Sequence, residues 1–140
     1  MDKQHKPRIL IVEDDQHISR LLTMVLEKTG FEVKSVDSGA LGIRDATVVR
    51  PDLVILDLNL PDTSGLQVCR VIRTLYHPSI VPVIMFTGMN QPIDQLRGFA
   101  HGADAYLTKP CEMAELVGTV GSLLERAQDT PAGSGSLPVD

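Results

Sequence analysis

The stretch Pro51-Asp52-Leu53-Val54-Ile55-Leu56-Asp57-Leu58-Asn59-Leu60-Pro61-Asp62-Thr63-Ser64-Gly65 is an apolar run that ends on a carboxylate and passes into turn residues. Leu53 to Leu56 is continuous rather than alternating, the pattern of a strand covered on both faces in a parallel sheet. This predicts a buried strand that delivers Asp57 to a loop at its carboxyl end. In open parallel sheets that edge is where ligands bind, because loops leave it and helix N-termini point toward it. Taken alone, an aspartate there more often starts a turn or caps a helix, so the flanking chain has to decide.

Toward the N-terminus, Ile9 to Val12 is a second apolar run, ended by Glu13-Asp14-Asp15, and predicts a buried first strand. From Gln16 the period changes. Ile18, Leu21, Leu22, Val25 and Leu26 recur at helical spacing, and Gly30 closes an amphipathic helix. Phe31 to Val36 predicts a short strand, and Asp37-Ser38-Gly39 opens a weaker helix from about Ala40 to Val49, stopped at Arg50-Pro51. Toward the C-terminus, Leu66, Val68, Cys69, Val71, Ile72 and Leu75 predict a helix with an apolar face. Ile80 to Phe86 predicts a buried strand that ends at Thr87-Gly88. Asn90-Gln91-Pro92 opens a short helix to about Ala100, with proline in its first turn. Ala105-Tyr106-Leu107 is the last strand, ending at Thr108-Lys109-Pro110. The final helix, about Glu112 to Ala127, carries Met113, Leu116, Val117, Val120, Leu123 and Leu124 on one face.

Strand and helix thus alternate five times, the signature of an α/β doubly wound parallel sheet with helices on both faces. Right-handed crossovers place every strand's carboxyl end on one edge. The 140 residues suit one domain, expected over 8–127, with a flexible N-terminus over 1–7. Residues 128–140, rich in Pro, Gly, Ser and Thr, read as a disordered tail or linker stub.

Composition excludes several functions. Cys69 and Cys111 lack C-x-x-C or metal-ligand spacing, so a reducing cytoplasm is the expected setting. No apolar run approaches the ~20 residues that span a bilayer, and Met1 to Arg8 lacks a signal-peptide core. No membrane association is expected. A net charge of −5 with no Lys/Arg-rich run predicts no direct nucleic acid binding.

The polar residues at the strand ends then acquire a common meaning. Glu13 and Asp14 end the first strand, Asp57 the third, Thr87 the fourth and Lys109 the fifth. Clustered carboxylates stay ionised near neutral pH only when a cation compensates them. Oxygen ligands without His or Cys suit a hard divalent ion, Mg²⁺ before Mn²⁺. A lysine and a hydroxyl facing it would complete a cradle for a phosphoryl group, and Asp57 could attack phosphorus as a nucleophile.

Four segments carrying these residues, Ile9 to Asp14, Pro51 to Asp57, Val83 to Gly88 and Ala103 to Pro110, resemble the receiver domain of bacterial two-component response regulators. The resemblance covers about residues 8 to 127 and implies a flavodoxin-like five-stranded sheet in the order 2-1-3-4-5 with five helices. It implies that Asp57 accepts a phosphoryl group from the phosphohistidine of a sensor histidine kinase or histidine phosphotransfer protein. Asp14, Asp57 and the backbone carbonyl of Asn59 would hold Mg²⁺, and Glu13 would reach it through water. Lys109 would pair with the phosphoryl oxygens, and its bond to Pro110 would be cis. Thr87 would turn inward to the phosphate and Tyr106 would follow, changing the face built by the fourth helix, fifth strand and fifth helix. That face would meet a downstream output protein or fused output domain, or form a homodimer. Asn59 and Met89 occupy positions that in this family influence loss of the phosphoryl group.

Two other readings compete. A haloacid dehalogenase-like hydrolase would carry a second aspartate where Asn59 stands, and a cap over its substrate. A receiver-like binding module that works without phosphorylation would be expected to lose an acidic residue, the threonine or the lysine, and this chain keeps them all. The domain is therefore expected to be a phosphoacceptor in signalling rather than an enzyme.

Overall fold

The computed structural model describes residues 6–75 and 81–128. Of the tail expected over 128–140, Gln128 instead ends the last helix, and the rest of it, the first five residues and Ile80 lie outside the described residues. Ten elements alternate along the chain: β1 (Arg8–Val12), α1 (Gln16–Thr29), β2 (Glu32–Val36), α2 (Gly39–Val48), β3 (Leu53–Leu56), α3 (Gly65–Leu75), β4 (Val83–Thr87), α4 (Pro92–Ala100), β5 (Ala105–Thr108) and α5 (Met113–Gln128). The strands form one sheet in the order β2-β1-β3-β4-β5, with every neighbouring pair parallel. This is the flavodoxin-like order, and the reversal between β1 and β3 opens a crevice at their carboxyl ends.

The apolar runs are continuous because successive side chains serve two cores. Leu10, Val12, Val54, Leu56 and Met85 pack with Ala46 of α2 and Val68, Cys69 and Ile72 of α3. Ile9, Ile11, Leu53, Ile55 and Ile84 pack with Leu22 and Leu26 of α1 and Leu116, Val120, Leu123 and Leu124 of α5. Burial pushes the Cys69 thiol pKa up to about 11, so that cysteine is core material. Leu21, expected on the packed face of α1, is exposed. Val83 rather than Ile80 begins β4, immediately after Pro82, which has no N–H to give a ladder.

Local chemistry sets the boundaries. Asp15 caps α1 by accepting from His17 N at 2.9 Å and Ile18 N at 3.2 Å, and Gly30 ends it at φ 111°. Ser38 Oγ caps α2 by accepting from Leu41 N at 3.2 Å. Arg50 stands before Pro51 at φ 56°, a left-handed conformation that turns the chain out of α2 where helical geometry is barred. At the edge of the sheet remote from Asp57, Arg73 near the end of α3 joins three later pieces. Its Nε donates to Gly102 O at 2.9 Å, and its remaining nitrogens bond Val81 O and the Asp104 carboxylate. Asp104 also accepts from Val83 N at 2.8 Å.

Candidate functional site

Parallel pairing carries Glu13, Asp57, Thr87 and Lys109 to the same edge. Asp57 N donates to Val12 O at 3.1 Å, so the third strand leaves the sheet beside the end of the first. Lys109 N donates to Thr87 O at 2.8 Å, which ties the end of β5 to the end of β4. Ligand-capable oxygens of Glu13, Asp14 and Asp57 lie within 4.8 Å of one another. Glu13 and Asp57 are buried and Asp14 is exposed, so the cluster opens to solvent on one side.

Lys109 supplies the local countercharge. Its Nζ donates to Glu13 Oε1 at 2.7 Å and to Asp57 Oδ2 at 3.1 Å, and lies 5.6 Å from the centroid of the Phe86 ring. Burial alone would lower the Lys109 pKa, but the hydrogen bond to Glu13 and the Asp57 charge outweigh it, and the ammonium is held above its ordinary value. Burial raises the Glu13 pKa, against the bonds from Lys109 and from Asp15 N, and the Asp57 charge adds to the rise. Three carboxylates facing one ammonium therefore leave room for further positive charge. An all-oxygen donor set that is open on one side suits a hard divalent cation.

The loop after β3 is folded back on itself. Asn59 N donates to Asp57 Oδ1 at 3.2 Å, Asn59 and Ser64 form an isolated antiparallel bridge, and Gly65 N donates to Leu58 O at 2.9 Å. Gly65 is required here because a Cβ would sit 2.2 Å from the Asp57 carbonyl oxygen.

Thr87 is fully buried, and its Oγ1 accepts from Met89 N at 3.4 Å. Tyr106 lies outside the carboxylate cluster. Its hydroxyl donates to Met89 O at 2.7 Å, and its ring lies against α4, 6.3 Å from the Phe99 ring. The hydroxyl and the tyrosine are thus both tied to residue 89 in the loop before α4. Burial, and the charges of Asp94 and Asp57, raise the Tyr106 pKa. The Lys109–Pro110 peptide is cis. Burial, with Glu115 and Glu112 nearby, raises the Cys111 thiol pKa, which argues against a reactive thiolate.

Some contributions were hidden in the sequence. Asp15, which reads as a third member of the acidic run, is a helix cap. Asp62 accepts from Gly39 N at 2.8 Å and Ala40 N at 2.9 Å, which binds the tip of the Asp57 loop to α2. The only signal for it was a carboxylate in a turn.

A parallel five-stranded sheet with an acidic cluster and a lysine at its carboxyl edge defines a receiver-type signalling domain, and this chain belongs to the response regulator receiver domain family, whose model matches residues 9–121. Among particular relatives, it is 41% identical over 125 residues to the DNA-binding dual master transcriptional regulator RpaA of Synechocystis, covering 89% of this chain and 52% of that protein. It is 40% identical over 127 residues to the DNA-binding response regulator MtrA of Mycobacterium tuberculosis, covering 91% of this chain and 54% of that protein. Among solved structures, the CheY-like response regulator receiver domain protein of Methanospirillum hungatei matches with a TM-score of 0.85 at 28% identity, over 91% of this chain and 100% of that chain. The BeF3-activated N-terminal receiver domain of Klebsiella pneumoniae RstA matches with a TM-score of 0.77 at 26% identity, over 84% of this chain and 97% of that one.

The chain spans about half the length of the curated relatives it matches. Their names correct the expectation of no direct nucleic acid binding, since both relatives are DNA-binding regulators. The expectation rested on the net charge of −5 of these 140 residues, and the match covers only 52% and 54% of the two relatives. Among the described residues no helix is long and apolar enough to cross a membrane.

Proposed function

We propose that this domain is a phosphoacceptor switch: Asp57 takes a phosphoryl group from the phosphohistidine of a sensor histidine kinase or histidine phosphotransfer protein. A carboxylate oxygen of Asp57 attacks phosphorus, the phosphorus–nitrogen bond breaks toward the histidine, and an aspartyl phosphate forms. The observation that carries the reading is the seating of the buried Asp57 carboxylate within 3.1 Å of Lys109 Nζ, in a cluster of three acidic residues. Lys109 would pair with the phosphoryl oxygens, and Thr87 would donate its hydroxyl to them. Asp14, Asp57 and the Asn59 carbonyl would hold Mg²⁺, with Glu13 acting through water. The ion would neutralise charge on the phosphoryl oxygens.

Phosphorylation adds charge and acceptor oxygens beside Thr87. Because Thr87 and Tyr106 share Met89, a shift of the threonine alters the face built by α4, β5 and α5. The output we assign, by similarity to RpaA and MtrA, is control of a DNA-binding function. The working unit is residues 8–127, and it acts as a signalling module rather than as an enzyme turning over a diffusing substrate. The likeness to a receiver domain crystallised in a BeF3-activated form, that of RstA, supports the reading of an activatable switch.

Intact mass after incubation with Mg²⁺ and acetyl phosphate tests the proposal on the parent and on Asp57→Asn. One added phosphoryl mass is expected on the parent, dependent on Mg²⁺ and absent from the variant. A folded, Mg²⁺-binding parent that takes no adduct would overturn it in favour of a module that works by contact alone.

A further inference from the structure

The segment from Asp57 to Gly65 holds two of the groups assigned above to the cation, the Asp57 carboxylate and the Asn59 carbonyl. Its base is fixed by backbone, through Gly65 N to Leu58 O at 2.9 Å and the Asn59–Ser64 bridge. Its tip, Pro61 and Asp62, is exposed. An exposed tip of this kind would drift unless something holds it, and among the described residues its polar tie is the Asp62 carboxylate. Each Asp62 oxygen accepts one backbone N–H at the start of α2, from Gly39 at 2.8 Å and from Ala40 at 2.9 Å. The approach is close: a Cβ on Gly39 would meet Thr63 Cγ2 at 2.3 Å, so the Thr63 side chain would have to move to admit it. These bonds link residues 22 and 23 positions apart and join two elements, whereas the other cap of the same helix, Ser38 Oγ to Leu41 N, is local.

We propose that Asp62 is a positioning residue for the cation site: by capping α2 across the loop it fixes the segment that presents the Asn59 carbonyl and the Asp57 carboxylate. Asp62 itself touches neither cation nor phosphoryl group. It acts as outer partners of metal ligands do, by holding a ligand where it is needed. By the same coupling, a bound cation steadies the start of α2. The inference rests on the Mg²⁺ assignment made above and adds to it a residue outside the acidic cluster.

The test is Mg²⁺ affinity by titration calorimetry on the full chain, with thermal melting in parallel, for the parent, Asp62→Ala, Asp62→Asn and Ser38→Ala. Asp62→Ala removes both bonds, and about tenfold weaker Mg²⁺ binding is expected, the lower end of the range for outer partners of a metal site. Asp62→Asn keeps one acceptor without the charge and should fall between Asp62→Ala and the parent; it also serves where the alanine variant does not fold. Ser38→Ala weakens the same helix without touching the loop and should bind Mg²⁺ as the parent does. Parental affinity in Asp62→Ala would overturn the proposal. So would an equal loss in Ser38→Ala, which would mean that helix stability alone matters, or an equal loss in Asp62→Asn, which would mean that charge alone matters. A parent that binds no Mg²⁺ would overturn the cation assignment itself and the positioning role with it. A binding parent beside an unaffected Asp62→Ala would overturn the positioning role alone.

Discussion

Gly65→Ala places the smallest possible side chain where the site has least room. The added Cβ would lie 2.2 Å from Asp57 O, 2.8 Å from Leu58 Cα and 2.9 Å from Asp57 C. A carbon and a carbonyl oxygen approach no closer than about 3.3 Å even in favourable contacts, so the deficit is about 1 Å. All three obstructing atoms are backbone, and no rotamer change relieves them. Either α3 retreats, straining the Gly65 N to Leu58 O bond, or the chain leaving β3 shifts and takes Asp57 with it. A displacement of about 1 Å at reacting groups costs about 100-fold in rate, and overpacking of this kind costs about 1–3 kcal/mol in stability. Acetyl phosphate-driven mass gain over time, with urea unfolding in parallel, measures both. Gly88→Ala is the comparison, because it also flanks the site, next to Thr87, but its Cβ would meet nothing within 4 Å. A Gly65→Ala chain that is phosphorylated at the parental rate and unfolds at the parental urea concentration would refute the clash argument. An equal slowing in Gly88→Ala would refute its assignment to steric displacement.

Lys34→Met addresses Asp45, whose side chain is 3% exposed on α2 and lies 3.1 Å from Lys34 Nζ, with Arg44 also in contact. The expected loss is about 1–2 kcal/mol near pH 7, less than for a fully enclosed pair because Lys34 is half exposed and Arg44 remains. Burial alone would raise the Asp45 pKa, but the bonds and charges of Lys34 and Arg44 outweigh it and hold the carboxyl below its ordinary value. That stabilisation is present above the unfolded carboxyl pKa and is lost as pH falls through the lower folded one. The variant's deficit in urea unfolding should therefore shrink on acidification below about pH 4; a deficit constant with pH would exclude the ion pair as its source. Gly118→Ala and Gly121→Ala, at α5 positions where a Cβ meets nothing within 4 Å, should each stabilise by about 1 kcal/mol in the same assay. Gly98→Ala would put a Cβ 2.9 Å from the Tyr106 ring, so the ring must shift away from α4, which strains the bond of its hydroxyl to Met89 O. Displaced Tyr106 ring signals in NMR, with the core unchanged, check this.

The fold was legible because it rests on local pattern. Leu53 to Leu56 and Ile9 to Val12 are continuous apolar runs, and a strand covered on both faces has no other way to read. Glu13 and Asp57 were legible because each directly follows such a run, and Lys109 because it stands at the end of the last predicted strand. Asp45 was not, since a lone carboxylate within a helix reads as solvent-facing until Lys34 of β2 is brought over it. Arg73 was hidden for a similar reason, its partners Gly102 and Asp104 lying 29 and 31 residues away. Asp62 had the form of an ordinary turn residue, and its bonds to Gly39 and Ala40 exist only once α2 and the loop are side by side.

The strand order also leaves the sheet with two unlike borders. β5 closes one side under the cover of α4 and α5, and none of its four residues is fully exposed. β2 closes the other with Glu32, Lys34 and Ser35 in water. A free border is a template on which a stray strand from another molecule can add, and charged side chains on an outer strand are how natural sheets discourage it. To lengthen this sheet, an intruding strand would have to strip water from Glu32 and Lys34, and in doing so crowd the lysine that holds Asp45. The border that carries no part of the candidate site is thus the one whose charged residues oppose edge-to-edge addition.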